Sequence, residues 1–140
     1  MGLLEAGRDL ESTARETVKI LLVDDDEFIR SSLKEHLEEE GHTVATAADG
    51  QQAFRILRRG DRPDVIVLDA MMPVMSGWDF RSAQLSDPDF ANIPVVVVSA
   101  FGFSGRTVLS QFGVADYVPK PLDTEALLKA ISRAAVRLTA

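Results

Sequence analysis

Two short apolar runs, residues 18–23 (VKILLV) and 65–68 (VIVL), are long enough for strands and too uniformly apolar for strands with one wet face. Strands buried on both faces belong to a parallel sheet with helices above and below it. The first run is followed at once by Asp24, Asp25 and Asp26, and the second ends at Asp69. In such sheets ligands bind beyond the carboxyl ends of the strands, where the strand order reverses. Both sets of acids lie in that place.

A chain of 140 residues holds one domain with a single core. Its 46% hydrophobic and 26% charged residues exclude disorder as the main description. A net charge of −7 argues against nucleic acid as a direct partner, and phosphate would need a cation to bind. The absence of cysteine excludes disulfides, thiolate chemistry and Cys-based zinc sites, and His36 and His42 leave little room for imidazole chemistry. No run approaches the ~20 apolar residues that span a bilayer. No basic flank with an apolar core opens the chain, so no membrane partner is expected and the cytoplasm is the default location.

Residues 1–17 are polar and mixed in charge, with Leu3, Leu4 and Leu10 too sparse to define a face; they read as an extension, frayed or forming a short packed helix. From residue 18 to 138 strand-like and helix-like segments alternate five times, the mark of an α/β fold. A helix is expected over about 27–40, with Phe28, Leu33 and Leu37 inward and Gly41 as its stop. A short strand over 43–47 precedes the turn Asp49-Gly50 and a helix over 51–59 with Ala53, Phe54 and Leu57 inward. Beyond a loop over 71–77, a third helix spans about 78–85, its apolar stripe thinned by Arg81, Ser82 and Gln84. The run IPVVVV (93–98) is the fourth strand and ends at Ser99; a short helix must come after Gly102 and Gly105. The fifth strand, 116–118, runs into Pro119-Lys120-Pro121 and is therefore placed at a sheet edge. Asp123 caps the last helix, where Leu127, Leu128, Ile131, Ala135 and Leu138 keep helical spacing.

If the strand order is 2-1-3-4-5, flavodoxin-like and doubly wound with helices on both faces, strands one and three are neighbours at the switch point. Asp24, Asp25 and Asp69 then converge. Adjacent strands lie ~4.8 Å apart, and two like charges near 5 Å repel by roughly 3 kcal/mol at an effective dielectric of about 20. Such a cluster calls for a cation. Oxygen ligands without His or Cys favour a hard ion, and few carboxylates completed by water and phosphate suit Mg²⁺ better than Ca²⁺. Lys120 brings a fixed positive charge to the same rim.

Each residue also has a plainer reading. One aspartate before a helix is usually an N-cap, and Asp26 reads as one, but capping does not require three. Asp69 could cap the next segment, yet Pro73 and Gly77 place a loop there. Ser99 alone is a strand-end serine, and Lys120 alone a solvated lysine. Together, four such groups at the carboxyl ends of strands one, three, four and five make a site.

Taken together, LLVDDDE (21–27), VIVLDAMMPVMSG (65–77), VVVVSA (95–100) and ADYVPKP (115–121) are highly specific. With them the chain resembles the receiver domain of bacterial two-component response regulators over residues 18–138. The resemblance implies that Asp69 is the phosphoacceptor and that Asp24, Asp25, Asp69 and the Met71 backbone carbonyl hold Mg²⁺. It implies that Ser99 and Lys120 bind the phosphoryl oxygens and that Tyr117 swings inward once Ser99 is drawn to the phosphate. Lys120-Pro121 is expected to be cis, as in that family. The phosphodonor would be a histidine kinase or a histidine phosphotransfer protein, and the output an unidentified protein partner or a phosphorylation-dependent homodimer.

Three features depart from the family pattern. The stretch from Ser99 to Tyr117 is about one residue short and rich in glycine, which unsettles the fourth helix and the output face. Met71 and Phe101 flank the path of an attacking water and would slow acylphosphate hydrolysis. The thin third helix, with Arg81 and Gln84, marks a partner contact or a looser fit.

Because the sequence ends with its last helix, it reads as a stand-alone receiver rather than an enzyme. A Mg²⁺-dependent phosphohydrolase with Asp69 as nucleophile is the alternative from the enzyme class. Proteins resembling the haloacid dehalogenase family place a second acid two residues after the nucleophile, and here that residue is Met71. A receiver-shaped scaffold that is never phosphorylated is the third reading, but such proteins typically lack one of the site residues.

Overall fold

The computed structural model describes residues 17–70, 76–99, 113–120 and 122–139. Five parallel strands form one sheet in the order β2-β1-β3-β4-β5: β1 (Lys19–Val23), β2 (Thr43–Ala47), β3 (Val65–Asp69), β4 (Val95–Ser99) and β5 (Asp116–Pro119). The described helices are α1 (Glu27–Glu39), α2 (Gly50–Arg58), α3 (Gly77–Leu85) and α4 (Thr124–Thr139). The doubly wound order read from the sequence is the observed one, and β5 is an edge strand.

Alternate residues of the strands feed two cores. Leu21, Val23, Ile66, Leu68, Val95 and Val97 face α2 and α3, where the tilted rings of Phe54 and Phe80 meet with centroids 4.8 Å apart. Ile20, Leu22, Val65, Val67, Val96 and Val98 face α1 and α4, packing on Leu33, Leu37, Leu127 and Ile131. Burial on both faces is why these runs show no polar alternation.

Capping sets the helix starts. Asp26 accepts the Ile29 amide at 3.0 Å, Asp49 the Gln52 amide at 2.9 Å and Ser76 the Asp79 amide at 3.2 Å. The Asp123 carboxylate accepts the Glu125 amide at 3.0 Å ahead of α4. At the end of α1, Gly41 takes φ +100°, the left-handed conformation that terminates helices.

Two expectations need correction. Phe28 does not face inward: it is 80% exposed, and Ile29 packs on the core with Leu33 and Leu37 instead. At 3.6 residues per turn Phe28 lies about 140° around the helix from Leu33, whereas Ile29 is one turn before it. Nor do Arg81 and Gln84 of α3 mark a partner contact or a looser fit. Arg81 and Gln84 are buried, with Gln84 fully enclosed. Arg81 Nη1 donates to Gln84 Oε1 at 2.8 Å and Nη2 to the Gly113 carbonyl at 2.7 Å. Gln84 Nε2 in turn donates to the Phe90 and Ile93 carbonyls at 2.9 and 3.0 Å. Residues 1–16 of the tail expected over 1–17, the helix after Gly102 and Gly105, Met71, Phe101 and Pro121 lie outside the described residues.

Candidate functional site

The site is assembled by strand register. Val23 pairs with Leu68, so Asp24, one residue beyond, comes level with Asp69 at the end of β3. Asp69 pairs with Val98, and Ser99 with Pro119, which sets Lys120 just past the edge of the same tier. One carboxylate oxygen from each of Asp24, Asp25 and Asp69 falls within 4.8 Å of the others. Lys120 Nζ stands 3.5 Å from Asp69 Oδ2, an ion pair longer than a good hydrogen bond.

Burial gives this geometry its force. Asp69 is 4% exposed and Asp24 3%, while Asp25 is open to solvent. Burial pushes the Asp24 carboxyl above its ordinary pKa. The Asp26 amide, donating to Asp24 Oδ1 at 2.9 Å, and the charge of Lys120 pull it back, whereas Asp25 and Asp26 push it further up. A cavity of about 390 Å³ opens beside the cluster, walled by Leu22, Val67, Val98 and Leu122. Asp24, Asp69 and Lys120 line the same cavity, so the acids face it directly. A set of carboxylate oxygens without sulfur or imidazole fits a hard cation.

The structure thus brings together Asp24, Asp25, Asp69 and Lys120. Ser99 ends β4 at the same tier; its side chain and the Met71 carbonyl lie outside the described parts of the chain. Tyr117 sits on β5, half-buried against the core that holds Phe80.

Arg30, given no role in the sequence reading, and Gly77, read there only as a loop residue, shape the site. Arg30 Nη1 donates to the Asp24 carbonyl at 2.7 Å and fixes the backbone that carries that acid. Its only signal is a cation one helical turn after the Asp26 cap. Gly77 allows α3 to start directly on the end of β3: a Cβ there would lie 2.6 Å from the Asp69 carbonyl oxygen and 2.7 Å from Ala70 Cα. Its amide donates to the Ala70 carbonyl at 3.0 Å.

The family model of the response regulator receiver domain matches residues 20–132. The chain belongs to the response regulator receiver family. Among curated relatives, the response regulator MprA of Mycobacterium ulcerans is 40% identical over 124 residues, covering 88% of this chain and 52% of that protein. This receiver therefore spans about half the length of the curated relatives it matches. The receiver domain of a Francisella response regulator superposes with a TM-score of 0.75 at 30% identity, covering 86% of this chain and 98% of that one. The chemotaxis protein CheY4 of Vibrio cholerae gives a TM-score of 0.76 at 32% identity over 84% of this chain and 98% of its own. Receiver domains work with histidine kinases and output domains and are generally not enzymes in the ordinary sense. Among the described residues no helix is long and apolar enough to cross a membrane.

Proposed function

We propose that this receiver, spanning residues 18–138 behind an N-terminal extension over 1–17, accepts a phosphoryl group on Asp69 and works in the cytoplasm. The donor is the phosphohistidine of a histidine kinase or histidine phosphotransfer protein. An Asp69 carboxylate oxygen attacks phosphorus, the P–N bond to the donor imidazole breaks, and the departing nitrogen takes a proton from water. Asp24, Asp25, Asp69 and the Met71 carbonyl would hold Mg²⁺, which when bound neutralises charge on the phosphoryl oxygens. Lys120 supplies the remaining positive charge beside Asp69, and Ser99 binds a phosphoryl oxygen. Phosphoryl transfer asks mainly for positioning and charge neutralisation, so these groups carry the chemistry. Tyr117 follows Ser99 inward, and the altered surface is read by a protein partner or a second copy of the chain.

The observation that carries this reading is the convergence of three carboxylates within 4.8 Å with Lys120 Nζ 3.5 Å from Asp69. Incubation with acetyl phosphate, with and without Mg²⁺, and intact-mass measurement beside Asp69→Asn tests it. A single Mg²⁺-dependent phosphoryl adduct, absent in the variant, is expected. A folded protein that takes no adduct would instead be a scaffold, and steady phosphate release without an adduct would make it a hydrolase.

A further inference from the structure

The buried pair on α3 reaches two distant parts of the chain. Gln84 holds the carbonyls of Phe90 and Ile93 just before β4 begins, and Arg81 holds that of Gly113 just before β5 begins. Gly113 takes φ +61°, turning the chain into β5, and the Ala115 amide donates to the Val95 carbonyl at 2.8 Å. At its other end α3 abuts Asp69 through Gly77, where there is no room even for a methyl group. The helix is therefore a strut. One end is set against the backbone of Asp69, and the other grips the chain where β5 enters the sheet.

β5 has reason to need a grip. It is four residues long, is flanked among the described residues by β4 alone and ends in Pro119, which donates no amide. A slip of one residue would move it ~3.3 Å and turn every side chain to the opposite face. Lys120 comes directly after it, and its approach to Asp69 at 3.5 Å depends on that register. Arg133 also binds Asp116, at 2.7 Å, but that guanidinium is mostly exposed, where ion pairs contribute little.

Resting on the reading of Asp69 as phosphoacceptor, we propose that Arg81 is a positioning residue for phosphoryl transfer. Through Gly113 it fixes the register of β5 and so delivers Lys120 to Asp69. Arg81 touches none of the reacting atoms. Its influence passes through the strand, and it leaves Asp24 and Asp25, which come after β1, untouched.

The test pairs Arg81→Met, which keeps the stem and removes the donors, with Arg81→Lys, which keeps a single charged donor group. Labelling of Asp69 by acetyl phosphate should slow roughly tenfold or more in Arg81→Met, as expected when a reacting constellation is displaced. The Mg²⁺ dissociation constant should stay within about twofold, and Arg81→Lys should recover part of the rate. Arg81→Met combined with Lys120→Ala should be no slower than Lys120→Ala alone, because both changes remove the same contribution. Wild-type labelling by folded Arg81→Met, or losses that multiply in the double variant, would overturn the proposal. Should Arg81→Met not fold, Arg81→Lys bears the same comparison. If the parent protein takes no phosphoryl group, the reading of Asp69 fails, and hydrogen exchange at the Ala115 amide decides the register on its own. Lost protection in the Arg81 variants upholds the strut, and full protection refutes it.

Discussion

Asp24 and Asp69 at the carboxyl edge of the sheet and Arg81 with Gln84 inside α3 are all shielded from water, yet their surroundings differ in kind. Beneath α3, amide and guanidinium donors meet backbone carbonyls at 2.7–3.0 Å, and the network closes on the fold itself. At the sheet edge like charges converge within 4.8 Å, and the nearby Lys120 stands 3.5 Å from Asp69. Buried polarity whose bonds close on backbone builds architecture. Buried like charges are tolerated at a cost that a bound cation would offset.

The contrast makes opposite predictions for stability. Gln84→Leu should lose about 3 kcal/mol in urea unfolding, because the Ile93 carbonyl and the Arg81 guanidinium each lose a buried partner. A loss below that of an ordinary surface substitution would mean that the network is not architectural. Gly77→Ala lies between the two regions and should cost about 2 kcal/mol through overpacking. It should also reduce phosphoryl labelling more than its stability loss explains, since the clash falls on the Asp69 carbonyl.

Asp24→Asn should go the other way and stabilise the metal-free protein near neutral pH. Between the ordinary carboxylate pKa of 3.8 and the raised native value, the folded state binds more protons than the unfolded one. Stability therefore falls as pH rises through that window, and the cost of ionising Asp24 is fully present above it. The advantage of Asp24→Asn should shrink to nothing as pH drops below 3.8. On the proposed ligand set, Mg²⁺ affinity should begin to fall, on acidification, at a higher pH than an unshifted aspartate would give. Unfolding curves and Mg²⁺ titrations across that range check both signs.

The smallest effect belongs to a pair that shares neither character. Lys34 and Glu38 meet at 2.6 Å on the exposed face of α1, and Lys34→Ala should change stability by about 0.3–0.5 kcal/mol, less in high salt. A larger loss would undermine the division between buried and exposed charge.

Some of this is legible in the chain and some is not, and the reasons are specific. Arg81 and Gln84 thin an apolar stripe and so read as a weak helix or a partner face. Apolar counting cannot register a polar side chain that is buried because it bonds carbonyls 6 to 32 residues away. Phe28 is misplaced for the opposite reason: its apolar character counts toward a core face while its angle around the helix does not enter. Arg30 and Gly77 act on backbone atoms, which leave no mark in a pattern of side chains.

The apolar runs, the acids that end them and the alternation of strand with helix determined a parallel α/β fold with a site at its carboxyl edge, because burial on both faces is written residue by residue. The sheet decided the rest. Asp24 and Asp69 are 45 residues apart in sequence, and Asp69 and Lys120 are 51 apart. The order β2-β1-β3-β4-β5 and its register bring them within a few ångströms. The same closure turned Arg81 inward onto Gly113, since a guanidinium's partners are chosen by the space around it and not by its neighbours in the chain.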